Sequence, residues 1–268
     1  MKRRRRLQHS TFASRILPPL LTGIAILLLW ESLPRLFGVS QLLIPPVSLV
    51  VHALWNGIAS GVIQDALVVT LFEALSGFML GSGFGILLAA LITRSEVAER
   101  ALVPYLVSLQ SVPKVAMAPL LVVWLGFGVS SKIAIAGIIS FFPVLISSII
   151  GFTTVESEKL ELMRSLCASR WQTFRIVLFP NALPFVFTGL NVAVVFCVTG
   201  ALVGEFVGAT EGLGVLLMQM NFNMDISGMF SVLIVLACMG GSLHALIRFL
   251  HRKLVFWAEP EKIEQGTP

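Results

Sequence analysis

Charge is what this chain most lacks. Asp, Glu, Lys and Arg make up 12% of its 268 residues, about half the share found in a soluble domain. So little charge cannot cover a water-exposed surface, and with 56% hydrophobic residues the chain reads as a polytopic membrane protein. Cysteine is scarce too: Cys167, Cys197 and Cys238 are an odd, scattered set, with no disulfide framework and no metal spacing. No H-E-x-x-H occurs, and His9, His52, His244 and His251 are dispersed. His244 and His251 share a helix face beside Arg248 and Arg252, which favours interfacial anchoring over metal binding. No stretch matches the phosphate-binding loop G-x-x-x-x-G-K-[ST], so this chain should not hydrolyse ATP by that mechanism. No catalytic constellation stands out. The expectation is therefore no catalytic residue, no metal and no cofactor bound by this chain. The net charge of +5 comes mainly from KRRRR at the start and from polar loops. It reports membrane topology; nucleic-acid binding would need basic residues spread over a folded face.

What is present is a set of long apolar runs. The opening MKRRRRLQHSTFASR could pass for a signal-peptide n-region, but the run that follows continues through Leu27–Trp30 without a small-residue cleavage site, which predicts an uncleaved span. Six spans of bilayer length are expected, at about 16–36, 68–92, 101–125, 132–152, 185–207 and 228–250. The expected organisation is an all-α integral membrane protein: a basic cytoplasmic N-terminus (1–15), a transmembrane domain (16–250) with a cytoplasmic loop at 153–184, and a cytoplasmic tail (251–268). Orientation follows from the basic residues. With the N-terminus inside, the inner segments hold Lys2, Arg3, Arg4, Arg5, Arg6, Arg15, Arg94, Arg100, Lys159, Arg164, Arg170, Arg175, Arg248, Arg252, Lys253 and Lys262. The outer segments hold only Arg35 and Lys132.

The outer loop after the first span contains LLIPPVS and predicts a short amphipathic helix around Val47–Ile58. Gly77, Gly81 and Gly85 lie on one face of the second span, where another helix backbone can approach closely. The third span is irregular: Pro113 and Pro119 each remove a helix hydrogen bond, and Lys114 lies in the break. Such a break at membrane depth must be buried in protein or line a watery cavity. Lys114 reads either as a structural ion pair with Glu73 or Glu205, or as a residue lining a translocation path, or as a snorkelling side chain. At the end of the fifth span, Gly204, Glu205, Gly208, Gly212 and Gly214 mark a turn-rich segment. It suits a gate or re-entrant piece, and also a plain connection.

Residues 153–184, TTVESEKLELMRSLCASRWQTFRIVLFPNALP, form the longest charged stretch away from the termini. Leu160, Met163 and Leu166 recur at helical spacing, as do Trp171, Phe174, Val177 and Leu178. Ser169 and Gln172 have the form of a capping box that would start a second helix. Pro180 and Pro184 are expected to end it.

A helix–turn–helix between the fourth and fifth spans resembles the EAA loop of bacterial ABC importer permeases, whose pattern is E-A-A-x-x-x-G followed after nine residues by I-x-L-P. Glu161, Val177 and Pro180 match it. Leu162 and Met163 stand at the two Ala positions, Cys167 at the Gly and Phe179 at the Leu. LLIPPVS, TLFEALSGFMLG, PKVAMAPL, SSKI and LVGEFVGATEGLG resemble, in order, the branch serving nitrate, aliphatic sulfonates, taurine and thiamine-pyrimidine precursors.

The resemblance implies a type I ABC importer permease fold in a bacterial inner membrane. It implies a second copy of the chain completing the path, most simply as a homodimer. It also implies a separate ATP-binding subunit that carries ATP and Mg, and a periplasmic or lipid-anchored binding protein. No nucleic-acid partner is expected, because the basic residues are not spread over a folded face. The coupling loop would comprise Glu161, Cys167, Arg170, Trp171, Phe174, Arg175, Val177 and Pro180, with Trp171 and Phe174 as apolar anchors and Arg170 and Arg175 as rim. The other reading of Trp171 and Phe174 is packing against the chain's own helix ends. Path or gate candidates are Glu73, Pro113, Lys114, Pro119 and Glu205. Without glycine at the turn, Cys167 would take ordinary dihedrals or the turn would move to Ala168–Ser169. The alternative function is an ion-coupled secondary transporter, for which Glu73 would be the main coupling residue.

Overall fold

The computed structural model describes residues 12–257. Most of the basic start, including Lys2–Arg6, and Lys262 of the tail lie outside these residues. Among the described residues every regular element is helical: α1 (Phe12–Leu36), α2 (Val47–Ala59), α3 (Val62–Ile92), α4 (Glu96–Gln110), α5 (Ala118–Leu125), α6 (Val129–Thr153), α7 (Ser157–Ser165), α8 (Arg170–Thr173), α9 (Phe179–Gly208), α10 (Leu213–Phe222) and α11 (Ile226–Leu254). Among the described residues five helices are long and apolar enough to cross a membrane, and α4 with the segment Lys114–Leu125 forms a pair bent by 84° that is apolar enough for a sixth, as a broken span or a re-entrant loop. The break falls at the prolines. Pro113 caps a 3₁₀ turn, Lys114–Met117, and Pro119 sits in the first turn of α5, where its missing N–H is no loss.

The helices group into two compact units, one comprising the chain up to residue 63 with 217–234, the other 64–216 with 235 onward. In the first, α1 and the amphipathic α2 are tied by polar contacts. Trp30 Nε1 donates to Pro45 O at 3.1 Å, Ser48 N–H donates to Glu31, and Arg35 pairs with Glu31 while donating to Ser48 Oγ. The leucines of α1 are otherwise exposed, as a lipid-facing helix requires.

The second unit is built on close backbone contact among α3, α6 and α9. The glycine face of α3 meets α6: a Cβ at Gly81 would overlap the Gly137 carbonyl. On α9, a Cβ at Gly200 would lie 2.7 Å from Ala136 Cα. Small residues let three backbones pack where apolar side chains alone give no drive in lipid. Further along, Ala89, Leu145, Ile149, Phe152, Ala182 and Val186 form an apolar core, against which Phe174 and Leu178 pack.

The fifth span departs from expectation. Pro180 and Pro184 do not end the helix that starts at Arg170. It runs on to Gly208, through one π turn at Phe174–Leu178. The wide turn shifts the hydrogen-bond register, so Pro180 enters at the start of α9, where no donor is needed. The helix that starts at Arg170 and the apolar span are therefore one rod.

The capping box is present: Ser169 N–H donates to Gln172 Oε1 at 2.7 Å and Gln172 N–H to Ser169 Oγ at 3.2 Å. Cys167 differs from expectation, because it has φ +51° and keeps the left-handed turn instead of shifting it. The reason is hydrogen bonding. Cys167 N–H donates to Arg164 O and Ala168 N–H to Met163 O, each at 2.9 Å, so a Schellman motif ends α7 and holds Cys167 in the left-handed region. A side chain there costs about 1–2 kcal/mol, part of which glycine would return to unfolded-state entropy. Cys167→Gly is expected to stabilise the turn by about 0.5–1 kcal/mol, read as slower amide exchange at residues 164–170.

Candidate functional site

Two places concentrate unusual chemistry. The first is the helix pair α7–α8 with its π turn. Glu161, Arg170 and Arg175 are exposed, and so are Leu162, Leu166, Trp171 and Ile176; Leu166 is 66% and Trp171 63% accessible. Met163 is buried and Val177 and Pro180 are half-buried. The two aromatic candidates part company here. Phe174 is half-buried and stacks on Phe152 of α6 with ring centroids 5.8 Å apart. Trp171 stacks on the outer side of Phe174, at 5.7 Å and 20°. Phe174 is thus an internal strut, while Trp171 presents its ring to the outside. The periodicity of the sequence assigns both to one stripe but cannot say which of them the span-end phenylalanine reaches.

The second place is a sealed polar node between α3, α6, α9 and the start of α10. Glu73 and Lys132 are each 2% accessible, Glu205 is 1% and Thr70 is fully buried. Thr70 Oγ1 donates to Glu205 Oε1 at 2.6 Å and accepts from Leu213 N–H at 2.8 Å. Gly214 N–H donates to Glu205 Oε2. Glu205 thereby caps the first turn of α10, where the helix dipole favours an anion. Lys132 Nζ donates to Phe127 O, to Gly128 O at 3.0 Å and to Gly208 O at 2.7 Å. Glycine is required around the carboxylate. Gly212 has φ +117°, and a Cβ there would collide with the Glu205 carboxyl; one at Gly214 would lie 2.7 Å from Oε2.

The buried ammonium is not the expected one. Lys114 is half-buried, outside the node. Its Nζ donates to Gln110 O at 2.9 Å and sits 4.9 Å from the Phe142 ring centroid. Of the path candidates, the fold brings Glu73 and Glu205 together, whereas Pro113 and Pro119 stay exposed at the break with Lys114. Sequence reasoning counts Lys132 among outer-loop charges and omits Thr70. One signal was legible: a lysine at the start of an otherwise uncharged run, SSKIAIAGIIS, must find partners once the run enters a membrane. Among the described residues, no three His, Cys, Asp or Glu side chains are grouped to hold a metal ion.

Comparison with known proteins places these features. Residues 81–256 match the family model described as binding-protein-dependent transport system inner membrane component. The riboflavin transport system permease protein RibX of Chloroflexus aurantiacus is 34% identical over 236 residues, covering 88% of each chain. The formylaminopyrimidine transport permease protein ThiX of Halalkalibacterium halodurans is 32% identical, covering 91% of this chain and 97% of the relative. A putative aliphatic sulfonates transport permease protein SsuC of Bacillus subtilis is 30% identical over 89% of this chain and 86% of its own. Among solved structures, an amino acid ABC transporter matches at TM-score 0.57 and 17% identity over 76% of this chain and 98% of its own. The inward-facing MetNI methionine ABC transporter matches at 0.54 and 23% over 80% and 97%. These two establish a shared fold.

Proposed function

Because the chain belongs to the family of binding-protein-dependent transport inner-membrane components, the permease subunits of ATP-driven importers, we propose that it forms, with a second copy of itself, the path for a small heteroatom-rich solute. The solute class is sulfonate-, taurine- or nitrate-like, or a nitrogen heterocycle of the kind named for its riboflavin and formylaminopyrimidine relatives. In this family ATP is hydrolysed in a separate subunit, and a binding protein delivers the solute. ATP and Mg belong to that partner subunit, and this chain binds no cofactor. Both termini and the α7–α8 pair face the cytoplasm, as the distribution of basic residues requires.

The observation that carries the reading is the set of exposed apolar side chains Leu162, Leu166, Trp171 and Ile176, carried by α7, its C-cap and the first turns of the rod that begins at Arg170. A folded apolar surface outside the membrane calls for a protein partner. Trp171, with Leu166, fills a groove on the ATP-binding subunit, and Arg170 and Arg175 form the rim around it. The π turn joins this element to α9 without a hinge loop, so displacement of α8 is passed to the span. Pro113, Lys114 and Pro119 face the path at the broken crossing. Glu73 and Glu205, being sealed, do not touch the solute. An ion-coupled secondary transporter does not fit the family.

The test is reconstitution of the chain with its ATP-binding subunit and binding protein in vesicles. ATP hydrolysis is expected to rise when taurine, an alkanesulfonate, nitrate or a formylaminopyrimidine is supplied with the binding protein. A complex that forms but answers none of these solutes sinks the substrate class, and a chain that recruits no ATP-binding subunit sinks the coupling role.

A further inference from the structure

The polar node contains one acceptor too many. Glu73 lies one helical turn beyond Thr70 on α3, and its buried carboxyl faces that of Glu205. Its Oε2 is buried without a partner. Among the described residues, the donors around it point elsewhere. Lys132 spends its three N–H groups on the carbonyls of Phe127, Gly128 and Gly208. The Thr70 hydroxyl and the Gly214 amide serve Glu205, and the Leu213 amide serves Thr70. The charged groups facing Glu73 are Glu205 from α9 and Lys132 from α6, while the start of α10 presents backbone amides.

An ionised carboxylate only accepts hydrogen bonds, so two carboxyl groups can bond to each other only when one of them carries a proton. Glu205 is poorly suited to carry it, since both its oxygens accept from other donors and one caps a helix N-terminus. Among the described residues, no donor reaches Glu73 Oε2. An ionised Glu73 would be a buried anion beside a second anion, with no hydrogen bond to compensate its lost hydration.

We propose that Glu73 is a neutral carboxylic acid in the folded protein and donates its proton to Glu205. The node then holds one carboxylate, one ammonium and one shared proton, with no net charge. Glu73 is a positioning residue: its proton lets Glu205 stay ionised and hold the first turn of α10 against α3 and α9. The arrangement is independent of which solute is carried.

Infrared spectra of the purified permease–ATPase complex in nanodiscs test this. The wild type is expected to show the C=O stretching band of a protonated carboxyl in a site closed to water, and Glu73→Gln is expected to lose it. Glu73→Gln should keep the wild-type unfolding midpoint, because an amide N–H replaces the acid O–H as donor to Glu205. Glu205→Gln should lower the midpoint, since Thr70 and Gly214 donate to different carboxylate oxygens and an amide replaces one of them with an N–H donor. The proposal is overturned by absence of the band in the wild type, by its survival in Glu73→Gln, or by a midpoint loss in Glu73→Gln equal to that of Glu205→Gln. If Glu205→Gln does not fold, the wild-type and Glu73→Gln spectra alone decide the matter.

Discussion

Lys132→Met is expected to destabilise the protein by about 3–5 kcal/mol, the usual consequence of removing one partner from a buried charge pair. Lys132 is 2% accessible, and its ammonium is the cation that faces both Glu73 and Glu205. Methionine has nearly the same length and fills the space, so packing is not the issue. What is lost is the donor to three carbonyls, two before the start of α6 and one at the end of α9. The anion on Glu205 is left without a counter-charge. Lys114→Met is the internal control. It removes a cation from a half-buried site with one carbonyl contact and one aromatic contact, and about 1 kcal/mol or less is expected. Equilibrium unfolding in mixed micelles separates the two. The double variant Lys132→Met/Glu205→Gln should recover part of the loss, because the sites share one charge balance. Equal effects at the two lysines would mean that Lys132 is not electrostatically coupled to the node.

Trp171→Asp is expected to weaken association with the ATP-binding subunit by about 30-fold or more, the scale of a hot-spot residue worth 2 kcal/mol. The side chain is 63% accessible and leans on Phe174 without being enclosed. Replacing it should therefore leave the permease folded and at wild-type yield. Phe174→Asp should do the reverse of this clean result. That ring stacks on Phe152 and packs on the apolar core of α6 and α9, so the permease itself loses stability, and weaker capture of the partner would say nothing about docking. Leu166→Asp, on the other helix of the pair, should behave as Trp171→Asp does. Titration of the ATP-binding subunit onto immobilised, folded permease reads all three. Undiminished affinity in Trp171→Asp would place the docking surface elsewhere.

Much of this protein could be read without coordinates, because membrane solvation acts locally. Runs of apolar residues must become helices in lipid, since their backbone groups have no other partners. Pro113 must break a span, and Ser169 with Gln172 must start a helix, because each acts within one turn. The glycines of α3 announced close packing, though not that α6 would fill their face. The ends of the fifth span were misread for the same local reason. A proline normally stops a helix, and a π turn that accommodates it leaves no simple trace in composition. The loop cysteine shows the limit from the other side. A residue with a side chain argues against a left-handed turn, yet two hydrogen bonds closing α7 outweigh that preference.

By itself, then, the sequence determined the all-helical character of the chain, its long apolar segments, the break at Pro113–Lys114 and the helix start at Ser169. Tertiary structure alone decided which lysine meets the buried acids. Thr70 and Glu205 are 135 residues apart, and Lys132 and Gly208 are 76 apart. No periodicity relates such positions. Only the crossing of α3, α6 and α9, brought close by small residues, places Lys132 rather than Lys114 in the same buried node as Glu73 and Glu205, because a buried charge must be balanced in space, whatever the distance along the chain.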